Sequence, residues 1–237
     1  MQLDCIVLAG GLGTRLQSVV SEKPKCLADI NGKPFLFYLA KQLQKYTIRK
    51  LIFSVGYKKE MIIEYVEKHA DEFPFEILFA EEEEPLGTGG AVLNALRYSD
   101  TEDFLVMNGD TFFNVDIHAL YAFQKSKMAD CTLALKPLQN TDRYGLVTLN
   151  DSDEIESFEE KKENTSGLIN GGVYCVYRKA FENIPFTKKF SFEKDFLEKY
   201  ISERNMVGFV QNAYFIDIGI PDDYTKAQHD FLNYTSL

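Results

Sequence analysis

A chain of 237 residues, 45% hydrophobic and 26% charged, is long enough for one large α/β domain with a substantial core. Its net charge of −10 excludes a phosphate-coating nucleic-acid binder, which needs basic surface to displace counterions. No uninterrupted apolar stretch approaches the roughly 20 residues that span a bilayer, and the first residues do not join a basic segment to a long apolar one, so the expected location is the cytoplasm.

In chain order, the apolar run 5–9 predicts a buried strand ending in the glycine-rich turn of LAGGLGTRL, residues 8–16. Apolar residues at helical spacing predict a helix over 33–47, and LIFSVG predicts the next strand over 51–56. The order then repeats: helix 59–69, strand 75–80, helix 90–98, strand 103–110. Such β-α-β units predict a parallel, doubly wound, Rossmann-like sheet flanked by helices. Beyond Asp116 one helix is followed by CTLALKP, YGLVTLN, EIESFEE and LINGGVYCVY, β-rich segments with short connections that predict antiparallel strands. No linker or repeat interrupts the chain. It therefore reads as one domain, 1–237, with a nucleotide-binding half to about residue 110 and a second-substrate half from about 111. The cysteines Cys5, Cys26, Cys131 and Cys175 lie far apart without a CxxC pair, as reduced thiols do.

The glycine loop is not a dinucleotide fingerprint, because GxGxxG counted from Gly11 and Gly13 finds Leu16 where the third glycine belongs. The GxxxxGK[ST] phosphate loop is absent as well. What remains is a turn whose backbone N–H groups can form an anion nest, with Arg15 and Lys25 as nearby cations; an ordinary surface turn is the alternative.

Together with motifs further along the chain, the loop resembles the signature of the sugar-1-phosphate nucleotidylyltransferases. GGLGTRL (10–16) and KPK (23–25) are followed in order by EPLGTGGA (84–91), NGD (108–110), YG (144–145), EEK (159–161), NGGVY (170–174), SFEKD (191–195) and DIGIPDDY (217–224). The resemblance covers almost the whole chain, and the short length with the PLGTGGA form is most like the members that transfer guanylyl groups to D-glycero-α-D-manno-heptose 1-phosphate. It implies that a sugar 1-phosphate attacks the α-phosphorus of a nucleoside triphosphate, GTP in that subgroup, to give a nucleotide sugar for surface polysaccharide and pyrophosphate.

By the same resemblance Leu8, Gly10, Gly11, Gly13, Thr14 and Arg15 bind the nucleotide together with Glu82, Gly87, Thr88 and Asp110. Arg15 and Lys25 neutralise charge at the reacting phosphates, and Asp110 and Asp217, each closing an apolar strand, hold Mg²⁺. Asn108, Gly145, Glu160, Lys161, Asn170 and Gly171 fall to the sugar phosphate. Taken singly, several of these residues have plainer readings. An Asp before Thr suits a turn, EEKKEN suits a solvated loop, and the four glutamates of 81–84 suit an acidic surface. Guanine, however, presents two donors on one edge, which an ionised carboxylate at Glu82, or at a neighbour within 81–84, would accept. His69, His118 and His229 have no metal-ligand spacing.

Two positions depart from the family pattern: Cys26 and Lys162 stand where proline often follows the signature lysines. An exposed Cys26 would be a reactive thiol beside Lys25. The chain ends soon after Tyr224 and its helix, so feedback through a long C-terminal extension is not expected. The expected partners are the two small substrates, with neither nucleic acid nor membrane, and a homodimer is left open. Other acceptors and bases within the family are alternatives, namely mannose 1-phosphate with GTP or glucose 1-phosphate with dTTP, UTP or CTP. Two rivals come from other classes. A glycosyltransferase would show a DxD pair where Asp110-Thr111-Phe112 stands, and a nucleotide-sensing module would tolerate loss of Arg15, Lys25 or a metal carboxylate.

Overall fold

The computed structural model describes residues 3–11, 16, 23–139, 141, 144–159 and 166–232. The first part of the chain forms β1 (Leu3–Leu8), β2 (Asp29–Ile30), β3 (Lys33–Pro34), α1 (Phe35–Leu43), β4 (Ile48–Val55), α2 (Lys59–Lys68), β5 (Glu76–Glu81), α3 (Gly87–Leu96) and β6 (Asp103–Asn108). There follow β7 (Thr111–Phe113), α4 (Ile117–Lys127), β8 (Cys131–Leu138), β9 (Leu146–Leu149), β10 (Ile155–Glu159) and β11 (Gly167–Tyr177). A wide π-type helix over Phe192–Glu198, β12 (Met206–Val210), β13 (Phe215–Asp217) and α5 (Pro221–Asp230) complete the described chain.

The main sheet runs β10-β9-β11-β6-β1-β4-β5, with β8 and then β12 continuing from the side of β11. Strands β6, β1, β4 and β5 are mutually parallel, with Ile6 level with Ile52 on one side and Val106 on the other. From β11 outward the pairs with β6, β8 and β9 are antiparallel. The expected mixed, mostly parallel sheet flanked by helices is therefore present, and small antiparallel pairs, β2 with β3 and β7 with β13, sit beside it.

The reason lies in the strands' unbroken apolar runs, which bury both faces. Cys5, Val7, Leu105 and Met107 face a core shared with α1, α2, α4 and α5, while Ile6, Phe104 and Val106 face one shared with α3 and Phe192–Glu198. Helix α4 begins where the Asp116 carboxylate accepts the Ala119 N–H at 3.1 Å, a standard N-cap. Helix α5 begins with Pro221 followed by two aspartates, which suits its positive end.

Two boundaries differ from the periodicity. The helix expected from Lys33 starts at Phe35, because Asn31 and Gly32, both at positive φ, turn β2 onto β3. The Asn-Gly pair is the signal of that hairpin. The helix expected from Gly90 starts at Gly87. Among the described residues, no helix is long and apolar enough to cross a membrane.

Candidate active site

A cavity of about 640 Å³ opens at the carboxyl ends of β1, β4, β5 and β6. Chain order reverses there, with β4 on one side of β1 and β6 on the other, and parallel sheets bind ligands at such a place. The strand ends bring Leu8, Gly10, Gly11, Asn108 and Asp110 to its wall, and the segment into α3 adds Glu82, Gly87 and Thr88. Lys25 and Asp217 close it. Ten of the residues singled out from the sequence thus converge on one volume. Gly13, Thr14, Arg15, Glu160 and Lys161 lie outside the described residues.

At one end stands a charged cluster. Lys25 donates to Asp110 Oδ2 at 2.9 Å, with the two side chains 16% and 32% exposed. The short β7–β13 pair carries Asp217 to the same spot, since Asp217 is level with Thr111 and the Ile218 N–H bonds the Asp110 carbonyl at 3.0 Å. Asp217 Oδ1 accepts the Gly219 N–H at 2.7 Å. A Cβ added to Gly219 would lie 2.8 Å from that oxygen and 3.3 Å from Lys25 Nζ, so the ammonium and both carboxylates share one small region. Among the described residues, no group of three or more His, Cys, Asp or Glu side chains could hold a metal by itself. Two adjacent carboxylates do fit a hard divalent cation that completes its shell with phosphate oxygens and water.

At the other end Glu82, half-buried, follows β5 with its backbone N–H bonded to the Val55 carbonyl at 2.8 Å. Its carboxylate accepts from Ser54 Oγ at 3.1 Å and from the Leu86 N–H at 3.0 Å. The glycines of PLGTGG have a structural use as well. Gly87 is at φ +71°, and a Cβ there would lie 2.5 Å from the Phe190 carbonyl oxygen, which accepts the Gly89 N–H at 3.0 Å. The segment after Lys188 thus packs directly on the start of α3. Thr88 and Ser191 fasten it further by donating to Glu193 Oε2 at 2.7 and 2.9 Å.

Gly145, Asn170 and Gly171 do not line this cavity as the described residues bound it. Gly145 lies against the Glu159 carbonyl, and Gly171 packs on Phe113 within the irregular stretch of β11. Asn170 donates to the Tyr174 hydroxyl at 2.9 Å and accepts the Gly172 N–H at 3.0 Å. The neighbouring Gly172 abuts the Asn108 side chain, which joins this stretch to the cavity wall.

Cys26 is not exposed: it is 2% accessible, and burial followed by the nearby Asp110 charge pushes its thiol up to about 12. A thiol so held is not a nucleophile near neutral pH, so the condition for a reactive cysteine there, exposure, is not met. Sequence reasoning passed over Ser54, Tyr57 and Glu193, all on the cavity wall. The visible signal for Ser54 was a lone hydroxyl in the apolar strand LIFSVG; Glu193 lay inside SFEKD without a role.

Residues 4–234 match the nucleotidyl transferase family. The chain is 47% identical to a D-glycero-alpha-D-manno-heptose 1-phosphate guanylyltransferase of Aneurinibacillus thermoaerophilus, over 98% of this chain and 100% of that protein. It is 43% identical to an enzyme of the same description from Campylobacter jejuni, over 94% and 97% of the two chains. Among solved structures, HddC from Yersinia pseudotuberculosis complexed with GMP-PN superposes with a TM-score of 0.87 at 40% identity, covering 97% of this chain and 99% of that one.

Proposed function

Because this chain belongs to the nucleotidyl transferase family and is an enzyme of that class, we propose that it joins GTP to D-glycero-α-D-manno-heptose 1-phosphate, giving the GDP-sugar and pyrophosphate. The observation that carries the reading is one cavity with an acceptor carboxylate, Glu82, at one end and the Lys25–Asp110–Asp217 cluster at the other. The first suits the two donors of guanine, and the second suits a triphosphate. Near-complete coverage of guanylyltransferase relatives supports the same choice.

A phosphate oxygen of the acceptor attacks the α-phosphorus of GTP. A new P–O bond forms there, the bond from that phosphorus to the bridging oxygen breaks, and pyrophosphate leaves with the electron pair. The ionised acceptor has no proton to give up, so alignment and charge neutralisation do the catalytic work. Lys25 supplies a cation at the α-phosphate and exchanges its Asp110 partner for phosphate oxygen as substrate enters. Gly10, Gly11, Gly13 and Thr14 offer backbone N–H groups to the triphosphate, and Arg15 compensates charge on the leaving group. Asp110 and Asp217 would hold Mg²⁺, which when bound neutralises and orients phosphate oxygens. Asn108, Gly145, Glu160, Lys161, Asn170 and Gly171 take the sugar phosphate. On this reading the nucleotide half ends near Asp110 and the acceptor half follows it.

The test is pyrophosphate release by the purified protein with Mg²⁺, across GTP, ATP, CTP, UTP and dTTP crossed with heptose, mannose and glucose 1-phosphates. GTP with the manno-configured heptose 1-phosphate is expected to give the highest kcat/KM. Another nucleotide consumed as well as GTP would overturn the base assignment, and a better hexose acceptor would overturn the sugar.

A further inference from the structure

Glu82 does not stand loose in the cavity wall. Oε1 accepts from the Ser54 hydroxyl on β4, and Oε2 accepts from the Leu86 N–H just before α3. Ser54 is fully buried, so its hydroxyl has no competing solvent. On the remaining side the chain comes close: a Cβ on Gly10 would lie 2.8 Å from Oε1, and one on Gly56 would lie 3.5 Å from the Glu82 Cβ. The head group is held between two donors from separate elements and a glycine wall. Each oxygen still keeps a second lone pair for a ligand.

We infer that Ser54 is a positioning residue for base selection: with the Leu86 N–H it fixes the plane of the Glu82 carboxylate so that both oxygens meet the N1–H and N2 amino groups of guanine together. The inference rests on the reading that Glu82 receives the base of GTP. A glutamate head group left free would have to be ordered when the nucleotide arrives, and here that ordering is already done in the folded protein.

The two anchors are chemically unequal. An amide N–H only donates, whereas a serine hydroxyl can donate or accept. In Glu82→Gln the Leu86 N–H therefore retains the amide oxygen, and the amide NH₂ turns to Ser54, whose hydroxyl rotates to accept. The head group then offers one acceptor beside one donor. That pattern suits the N1–H and O6 edge of hypoxanthine or the N3–H and O4 edge of uracil, and it no longer singles out the guanine amino group.

ITP differs from GTP by the absence of that amino group alone, so the ratio of kcat/KM for GTP over ITP reads the carboxylate's grip. With saturating heptose 1-phosphate, the wild type is expected to favour GTP by about tenfold or more, the worth of one hydrogen bond to a charged group. Ser54→Ala should lower that ratio by about five- to tenfold through a raised KM for GTP, as fits loss of one net hydrogen bond, and Ser54→Thr, which keeps the hydroxyl, should restore it. Glu82→Gln should bring the ratio close to one and admit UTP. If Ser54→Ala keeps the wild-type ratio while Glu82→Gln loses it, Ser54 only packs and the inference falls, although the base assignment stands. An equal loss for both nucleotides in Ser54→Ala also overturns it. A wild type or Glu82→Gln that treats GTP over ITP contrary to these expectations overturns the GTP reading itself. Should Ser54→Ala not fold, Ser54→Cys keeps the volume, offers only a weak donor, and is judged by the same ratio.

Discussion

Replacing Lys25 with methionine keeps most of the aliphatic stem and removes one positive charge from beside Asp110, in the small region it shares with Asp217. In the folded protein the ion pair to Asp110 spans 2.9 Å with the partners 16% and 32% exposed. Solvent still reaches such a pair, so its loss should cost less than about 1 kcal/mol of stability. The effect on the reaction is larger, because substrates displace that water. Unit charges about 4 Å apart interact by ~1 kcal/mol in water and ~4 kcal/mol in a partly dry site, and loss of one preorganised donor to a transition-state oxyanion typically lowers turnover about 100- to 1,000-fold. The expected outcome is a fall of that size in kcat, read by pyrophosphate release at saturating substrates, with a melting temperature near the wild-type value. The metal dependence carries a second sign. Without the ammonium, two carboxylates attract a divalent cation more strongly, so the Mg²⁺ concentration for half-maximal rate should decrease. A kcat within about tenfold of wild type, or an increased Mg²⁺ requirement, would refute the placement of Lys25 at the reacting phosphate.

Asp110→Asn and Asp217→Asn should each act in the opposite sense on the metal, raising the half-saturating Mg²⁺ concentration and lowering turnover; normal rates at low Mg²⁺ in either variant would remove that residue from the metal assignment. Asp4 is fully buried at the far end of the sheet and bonded to Arg49, Ser99 Oγ and the Asp100 N–H. Burial alone would raise its pKa, but those three partners outweigh burial and hold it below the usual aspartate value of 3.8. A carboxyl depressed in the folded state contributes stability that is fully present above the unfolded value and is lost as pH falls through the folded one. Urea denaturation should therefore find wild-type stability declining below about pH 4 and a flatter acid limb in Asp4→Asn, while Asp4→Ala should lose about 1–3 kcal/mol near neutrality by leaving the buried Ser99 hydroxyl and the Asp100 N–H without their acceptor. The four cysteines are all buried, and an aromatic disulfide reagent at pH 8 should label none of them until denaturant is added; rapid native labelling of Cys26 would contradict its packing.

What the sequence by itself determined is the part of the protein written in local pattern. The unbroken apolar runs of β1, β4 and β6 mark strands buried on both faces, and the helical spacing between them dictates crossovers, so a parallel sheet follows from residues that are neighbours along the chain. The ordered motifs likewise marked Lys25, Glu82, Asp110 and Asp217 as site candidates one by one. Their mutual arrangement is not local information. Asp217 comes beside Asp110 only because β13 pairs with β7 in one particular register, and Lys25 reaches Asp110 from a turn that precedes the β2–β3 hairpin. The same holds for the smaller errors. Spacing read Lys33 into a helix because a two-residue strand has too few positions to show alternation, and the positive φ angles at Asn31 and Gly32 overruled it. The glycines of PLGTGG looked like a bed for a ligand, yet Gly87 and Gly89 are also needed by the Phe190 segment lying against them. Ser54 had no pattern to announce it, since a single hydroxyl in an apolar strand acquires its use only when the fold sets the Glu82 carboxylate 3.1 Å away. Periodicity records which face of an element is buried; which ends then meet, and at what distance, is decided by sheet register and by the packing of segments far apart in the chain.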